Sequence, residues 1–141
     1  YRRALVNEPR GSAVMVGAVL LPERGVIFFN NVGYLGMCGH GAIGVVAALS
    51  YLGLVAPGEI PLATPAGPVL AHLDASGEVS IENVPSYVYR RGVRVTVPNF
   101  GEITGDIAYG GNWFFLVDLG DASLPLAEVQ KLSAIASLIR E

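Results

Sequence analysis

The chain has 141 residues, of which 52% are hydrophobic and 15% charged, and its formal net charge is −3. This length predicts a single domain over residues 1–141 with a real core, and the low charged fraction argues against disorder and coiled coil. The negative net charge argues against a nucleic-acid-binding protein. One cysteine and two histidines exclude an internal disulfide framework and the ligand spacing of a zinc finger.

Both ends of the chain predict a fragment of a longer, cytoplasmic protein. The sequence opens on Tyr1 with no apolar segment typical of a signal peptide, and it stops at Glu141 inside an amphipathic pattern. No charged residue lies between Gly25 and Gly58. The continuous apolar part, Ala42–Ala56, is shorter than the ~20 residues of a membrane-spanning helix, so we expect a buried core element and no membrane partner.

Strand patterns dominate the sequence. In chain order they cover 14–21, 26–29, 60–64, 69–73, 79–81, 93–97, 103–109 and 113–117. Turn signatures at Pro22–Gly25, Asp74–Gly77 and Gly110–Asn112 separate neighbouring strands and predict hairpins. Asp106, near the third turn, is equally compatible with a polar pocket and with a strand beside a turn.

Two segments predict helices. Residues 42–54 are apolar on every face, and a helix of this kind has to be surrounded. In a strand-rich chain this favours an α+β fold in which a curved, mostly antiparallel sheet or barrel wraps around a central apolar helix. The second helix, about Leu126 to Ile139, is apolar on one face, with Ser123 as its expected N-cap.

The segment Gly33–Gly44 carries the features that favour chemistry. It places the only cysteine, Cys38, at the start of the apolar helix, where the helix dipole stabilises a thiolate. Its glycines leave backbone N–H groups open to an anion, and no Ser, Thr, Asp or Asn occupies the cap to consume them. A thiolate beside a carboxylate site suits removal of a proton alpha to a carboxylate.

Structural roles compete with these functional ones. A lone cysteine in an apolar chain is usually a small buried hydrophobe, but the flanking glycines and the helix start favour chemistry for Cys38. His40 by itself would more often be structural, whereas beside Cys38 it is a candidate to orient substrate or tune the thiol. His72 lies in a plain strand pattern and is expected to be a strand residue.

A dinucleotide-binding module is a weaker alternative. Gly39-x-Gly41-x-x-Gly44 matches the glycine fingerprint, and Glu59 lies 20 positions beyond Gly39, where a ribose-binding acid is expected. The context argues against it, because no strand runs directly into Gly39 and Glu59 precedes the next strand instead of ending it.

Four segments, taken together, are highly specific: Asn30–Gly41, Val6–Gly11, Val84–Tyr87 and Gly105–Phe115. With them the chain resembles the proline racemase family, which includes 4-hydroxyproline 2-epimerases and trans-3-hydroxyproline dehydratases. The similarity covers nearly all of the chain. It implies a fold like one half of diaminopimelate epimerase, in which a curved sheet surrounds a central helix.

The resemblance also implies a reaction and its residues. It implies a racemase or epimerase of proline or 4-hydroxyproline that uses no cofactor and no metal. One cysteine removes the α-proton from one face, and a second, on the other half, returns a proton to the opposite face. Cys38 matches the first cysteine, while Gly39 and His40 match positions that hold the substrate carboxylate or amine. Cysteine at position 38 is typical of the racemase and epimerase branch.

One departure from the family is serious. The second motif, an Asp-Arg-Ser-Pro-Cys-Gly-Thr-Gly-like segment, is not in these 141 residues. We therefore expect most of the N-terminal half of a two-domain enzyme, inactive alone, whose second cysteine comes from the missing C-terminal half or from a second chain. The alternative is a catalytically silent domain or fragment that binds carboxylates.

Overall fold

The computed structural model describes residues 1–7, 15–98, 100–118, 120 and 125–140. The chain folds as two compact units. One comprises Tyr1–Ser86 with Gly110–Asn112, and the other comprises Tyr87–Tyr109 with Trp113–Glu141. The assignment of the whole chain to one domain stays a prediction. The N-cap expected at Ser123 lies outside the described residues.

The described part of the first unit contains two α-helices and six strands. They are α1 (Arg2–Asn7), β1 (Gly17–Leu21), β2 (Gly25–Phe29), β3 (Tyr34–Leu35), α2 (Gly39–Tyr51), β4 (Gly58–Thr64), β5 (Gly67–Leu73) and β6 (Val79–Glu82). The strands form one sheet in the order β1-β2-β4-β5-β6, with β3 paired to β2. Among the described strands of this sheet, only β2 and β4 pair in parallel, and α2 lies between them in the chain.

One face of this sheet and one face of α2 form the core. Alternate residues of β4 and β5 are buried, as expected for strands that have one face against a helix. From the helix, Ala42, Val45 and Val46 enter the same core, which β2 extends with Val26 and Phe28. The α+β class predicted from the sequence is confirmed.

The predicted barrel is wrong for the described residues. The sheet is open, with β1 and β6 at its two ends, and α2 is not surrounded. The helix keeps a second apolar face in solvent, where Ile43 is 41% and Tyr51 is 91% exposed. Apolar residues on every face of a helix predict that the whole helix surface favours burial. In this unit, however, the strands pack against one side of α2 only.

The apolar helix begins and ends earlier than predicted for 42–54. It ends in a Schellman motif, in which Leu54 N–H donates to the carbonyl of Leu49 (2.9 Å) and Gly53 N–H to that of Ser50 (2.9 Å). Gly53 has a φ of +68°, a conformation that glycine adopts without strain. Because the apolar pattern continues to Leu54, it did not predict that the helix ends before Gly53.

The second unit is a three-stranded antiparallel sheet followed by a helix. Its elements are β7 (Tyr87–Val97), β8 (Gly101–Tyr109), β9 (Trp113–Val117) and α3 (Val129–Arg140). The apolar face predicted for the last helix lines a cavity of about 410 Å³ with Leu132, Ile135 and Ile139, opposite residues of β9. A 3-10 turn at Leu126–Glu128 replaces the first turn predicted for this helix.

Within the described residues, each of the eight predicted strands is present, and β9 has the predicted bounds. Most of the others begin earlier; β7, for example, starts six residues before the predicted Val93. The sequence did not predict α1 or the two-residue β3. Within the described ranges, no helix has the length and hydropathy needed to cross a membrane.

Candidate active site

Cys38 is the N-cap residue of α2. Its backbone is extended (φ −143°, ψ 109°), and its carbonyl accepts the first helical hydrogen bond, from Ala42 N–H at 2.8 Å. The thiol makes no capping hydrogen bond to the helix. The N–H groups of Gly39, His40 and Gly41 precede that first bond, so the helix itself offers them no acceptor. The N-terminus of α2 thus presents hydrogen-bond donors and the positive end of the helix dipole beside the thiol.

The thiol is nearly enclosed. Cys38 is 8% exposed and belongs to the core cluster that contains Phe28 and Met37. Gly41, one turn into the helix, makes room for it: a Cβ at position 41 would stand 3.1 Å from Sγ and 3.1 Å from the ring of Phe28. Cys38 therefore exposes little of its surface to solvent.

His40 is the polar side chain in contact with the thiol. Sγ lies 3.6 Å from Nδ1 and 3.8 Å from Nε2. A hydrogen bond in the ring plane to one nitrogen would leave the other much further away, so the sulfur is not aligned with either lone pair. His40 is exposed.

Gly39 has open space where a side chain would be. A Cβ built there meets no atom of the described structure within 4 Å, and the residue is exposed. Packing within these residues therefore does not explain a glycine at this position. The structure brings Cys38, Gly39 and His40 together at one helix start, and their roles stay predictions.

A cavity of about 450 Å³ lies between β1 and α2. His40, Gly41 and Gly44 line it from the helix, and the remaining lining residues are mostly apolar. Cys38 is not among the lining residues. The cavity is therefore an apolar groove that reaches the helix start at His40 and Gly41, beside Cys38.

The described residues also bear on metal and dinucleotide binding. Within these ranges, no group of three His, Cys, Asp or Glu side chains is placed to hold a metal ion. In the chain, β3 separates β2 from Gly39, and Glu59 lies at the beginning of β4. Both features differ from a dinucleotide site, in which the strand enters the first glycine and the acid ends the next strand.

Asn112 is a residue of this site that the sequence indicated only as part of a turn. Its side-chain amide bonds to the backbone on both sides of the Gly36–Met37 segment, directly before Cys38. The Gly110–Asn112 turn was visible in the sequence. The sequence did not predict that this turn packs against a loop more than 70 residues earlier, because local sequence patterns carry no information about contacts across that separation.

Three comparisons place the chain among known proteins. The family model described as proline racemase matches residues 1–141. A 4-hydroxyproline 2-epimerase of Xanthomonas campestris is 53% identical over 99% of this chain and 47% of its own length. One from Pseudomonas aeruginosa is 58% identical over 83% of this chain and 39% of its own length.

Two solved structures share the fold. A probable proline racemase from Agrobacterium radiobacter, with bound carbonate, superposes with a TM-score of 0.88 at 30% identity, over 98% of this chain and 45% of that one. A hydroxyproline epimerase from Agrobacterium vitis, with bound trans-4-hydroxy-L-proline, gives 0.85 at 27% identity, over 95% of this chain and 44% of that one.

The fold and the family match define a proline-racemase-like α+β protein. The chain belongs to the proline racemase family, as the motifs around Cys38 predicted. It spans about half the length of the curated relatives that it matches.

Proposed function

We propose that this chain supplies one acid/base group, Cys38, to an epimerase that inverts the α-carbon of 4-hydroxyproline or proline. The observation that carries the proposal is the position of the thiol, which stands at the start of α2 beside backbone donors that the helix leaves open. The names of the relatives support 4-hydroxyproline as the first substrate to test.

In the proposed step, the Cys38 thiolate takes the α-proton and becomes a thiol. The electron pair of the broken C–H bond moves toward the substrate carboxylate, which gains negative charge. Backbone N–H groups and the positive end of α2 stabilise that charge in the transition state. A proton delivered to the opposite face then forms the new C–H bond and completes inversion.

Substrate binding is assigned to the first turn of α2. The carboxylate accepts hydrogen bonds from the N–H groups of Gly39 and His40, and the imidazole of His40, which contacts the thiol, is assigned to the carboxylate or the ring amine. The open space at Gly39 supports this arrangement, because a side chain there would occupy the path of an anion to the helix end.

In a two-cysteine mechanism the second acid/base group comes from outside these residues, because the chain contains one cysteine. We assign it to another segment of a longer protein or to a second chain, with this chain forming a diaminopimelate-epimerase-like half. Alone, the chain is expected to give no inversion.

A hybrid enzyme tests the proposal. Residues 1–141 replace the matched segment of the Xanthomonas campestris 4-hydroxyproline 2-epimerase, and trans-4-hydroxy-L-proline is followed in D₂O by proton NMR and chiral analysis. We expect loss of the α-proton signal together with inversion. Cys38→Ser should abolish inversion, since a serine hydroxyl is a far weaker acid than a thiol. Exchange that the second acid/base group performs on the opposite face does not contradict the proposal.

Each outcome bears on the proposal. Full activity in a folded Cys38→Ser hybrid would contradict the role of Cys38. A folded hybrid that neither exchanges nor inverts would instead favour the catalytically silent carboxylate-binding domain, which the single cysteine of this chain supports. Circular dichroism of each hybrid separates these outcomes from misfolding.

A further inference from the structure

The side chain of Asn112 joins two segments of the first unit. Its Oδ1 accepts a hydrogen bond from Gly36 N–H (2.9 Å), and its Nδ2 donates one to the Met37 carbonyl (2.6 Å). A primary amide is suited to this position because it carries an acceptor and a donor side by side. Both partners are backbone groups, and the second belongs to the peptide that links Met37 to Cys38.

Two glycines permit this close approach. A Cβ at Gly36 would collide with the carbonyl oxygen of Gly111. In turn, a Cβ at Gly111 would stand 2.6 Å from Cβ of Met37, and Gly111 has a φ of +94°. Side chains at either position would push the two segments apart. The absence of side chains at these two glycines therefore lets the two backbone segments approach closely, and the hydrogen bonds of Asn112 hold them together.

The turn that carries Asn112 is itself anchored. Gly110 N–H donates to the carbonyl of Asn112 (3.1 Å), and the Asn83 amide donates to the carbonyl of Gly110 (3.1 Å). On the other side, Ala66 N–H donates to the carbonyl of Gly36 (3.0 Å). The amide of Asn112 thus connects two backbone segments that each have a further hydrogen bond.

We propose that Asn112 is a positioning residue for Cys38, an inference that rests on the proposed acid/base role of that thiol. The peptide bond between Met37 and Cys38 is planar, so the bond to the Met37 carbonyl orients the plane from which the Cys38 Cα extends. The first helical bond, to the Cys38 carbonyl, holds the other side. The thiol is therefore oriented from both sides of its own backbone.

The first test uses the 141-residue chain, whose single cysteine makes alkylation by iodoacetamide specific for Cys38. In Asn112→Ala the loop loses both hydrogen bonds, so we expect the nearly enclosed thiol to react faster by about fivefold to tenfold, with an altered pH profile. Asn112→Asp is nearly isosteric and keeps the acceptor. It places an oxygen against the Met37 carbonyl, so it should also raise the rate.

Asn83→Ala is the matched control. It removes a side-chain hydrogen bond to the same turn but none to residues 36–38. We expect it to change the alkylation rate less than either Asn112 variant does, because the two direct hydrogen bonds of Asn112 to Gly36 and Met37 remain. The proposal is overturned if both Asn112 variants fold and show unchanged alkylation, or if Asn83→Ala changes alkylation as strongly as they do.

The hybrid enzyme provides the second test. Asn112→Asp should lower kcat by about tenfold to a hundredfold while KM changes little, because a displaced thiol impairs proton transfer more than substrate binding. An unchanged kcat in the folded variant overturns the proposal. A hybrid that remains active with Cys38→Ser would instead refute the proposed function, and the alkylation result would still report the positioning contact by itself.

Discussion

Gly41 lies directly against the thiol of Cys38, since a Cβ at position 41 would stand 3.1 Å from Sγ. The same Cβ would stand 3.1 Å from two carbons of the Phe28 ring, so the sulfur or the ring would have to shift by a few tenths of an ångström. The packing around the thiol thus favours glycine in the first turn of α2. Gly44, one turn further along, has nothing within 4 Å of its Cβ position in the described structure.

The two glycines form a matched pair for mutation. Gly41→Ala should displace the thiol and lower kcat of the hybrid enzyme, by about tenfold if the shift approaches a few tenths of an ångström. Gly44→Ala should instead raise the free energy of unfolding by about 0.5–1 kcal/mol, because alanine loses less backbone entropy in a helix. Enzyme kinetics and thermal melting of both variants check these expectations. Equal kinetics of the two would show that Gly41 does not shape the site.

The two histidines form a second pair. His40 contacts the thiol, whereas His72 lies on β5 opposite Glu59 of β4. We expect His40→Asn in the hybrid enzyme to raise KM for trans-4-hydroxy-L-proline by about tenfold, since it removes a side chain assigned to the carboxylate or the amine. His72→Asn should leave KM and kcat unchanged. Steady-state kinetics would contradict the assignment of His40 if both variants behaved alike.

The carboxylate of Asp74 stabilises the turn between β5 and β6. Hydrogen bonds from the Ser76 hydroxyl (2.6 Å) and from Glu78 N–H (2.9 Å) hold the pKa of Asp74 below its usual range. Because the folded state prefers the ionised form, this contribution is present above the unfolded pKa and is lost as the pH falls through the lower, folded pKa. The loss should therefore occur below about pH 4.

Asp74→Asn isolates this contribution from that of the other carboxylates. Thermal melting of both proteins between neutral and acidic pH should show a smaller decrease for the variant, because an amide does not titrate. The difference in melting temperature between the two proteins should shrink as the pH falls. A constant difference across this range would show that ionisation of Asp74 does not stabilise the turn.

Asp106 has a structural partner in the second unit. Its Oδ1 accepts a hydrogen bond from Gly92 N–H (2.9 Å), within the irregular part of β7, and Gly92 has a φ of +61°. Asp106→Ala should lower the free energy of unfolding by about 1 kcal/mol. Alkylation of Cys38 should be unaffected, because the partners found for Asp106 lie in β7. A changed alkylation rate at unchanged stability would favour the pocket role instead.

Much of this protein was determined by its sequence alone. Alternating apolar residues and turn signatures predicted the strands, since a strand buried on one face repeats every two residues. The motif around Cys38 predicted the family, and the apolar run predicted α2, although the helix begins at Gly39 and not at the predicted Ala42. These features are local, and the sequence reports local features directly.

Tertiary structure decided the rest. The apolar faces of α2 could not show that the strands leave one side of it uncovered, because composition does not state where the neighbours lie. The stop at Gly53 depends on hydrogen bonds that the continuing apolar pattern concealed. Above all, the pairing of Asn112 with Gly36 and Met37 joins groups 75 and 76 residues apart. Such a contact arises only when the folded backbone brings two glycine-rich turns together, and no periodicity in the chain encodes it.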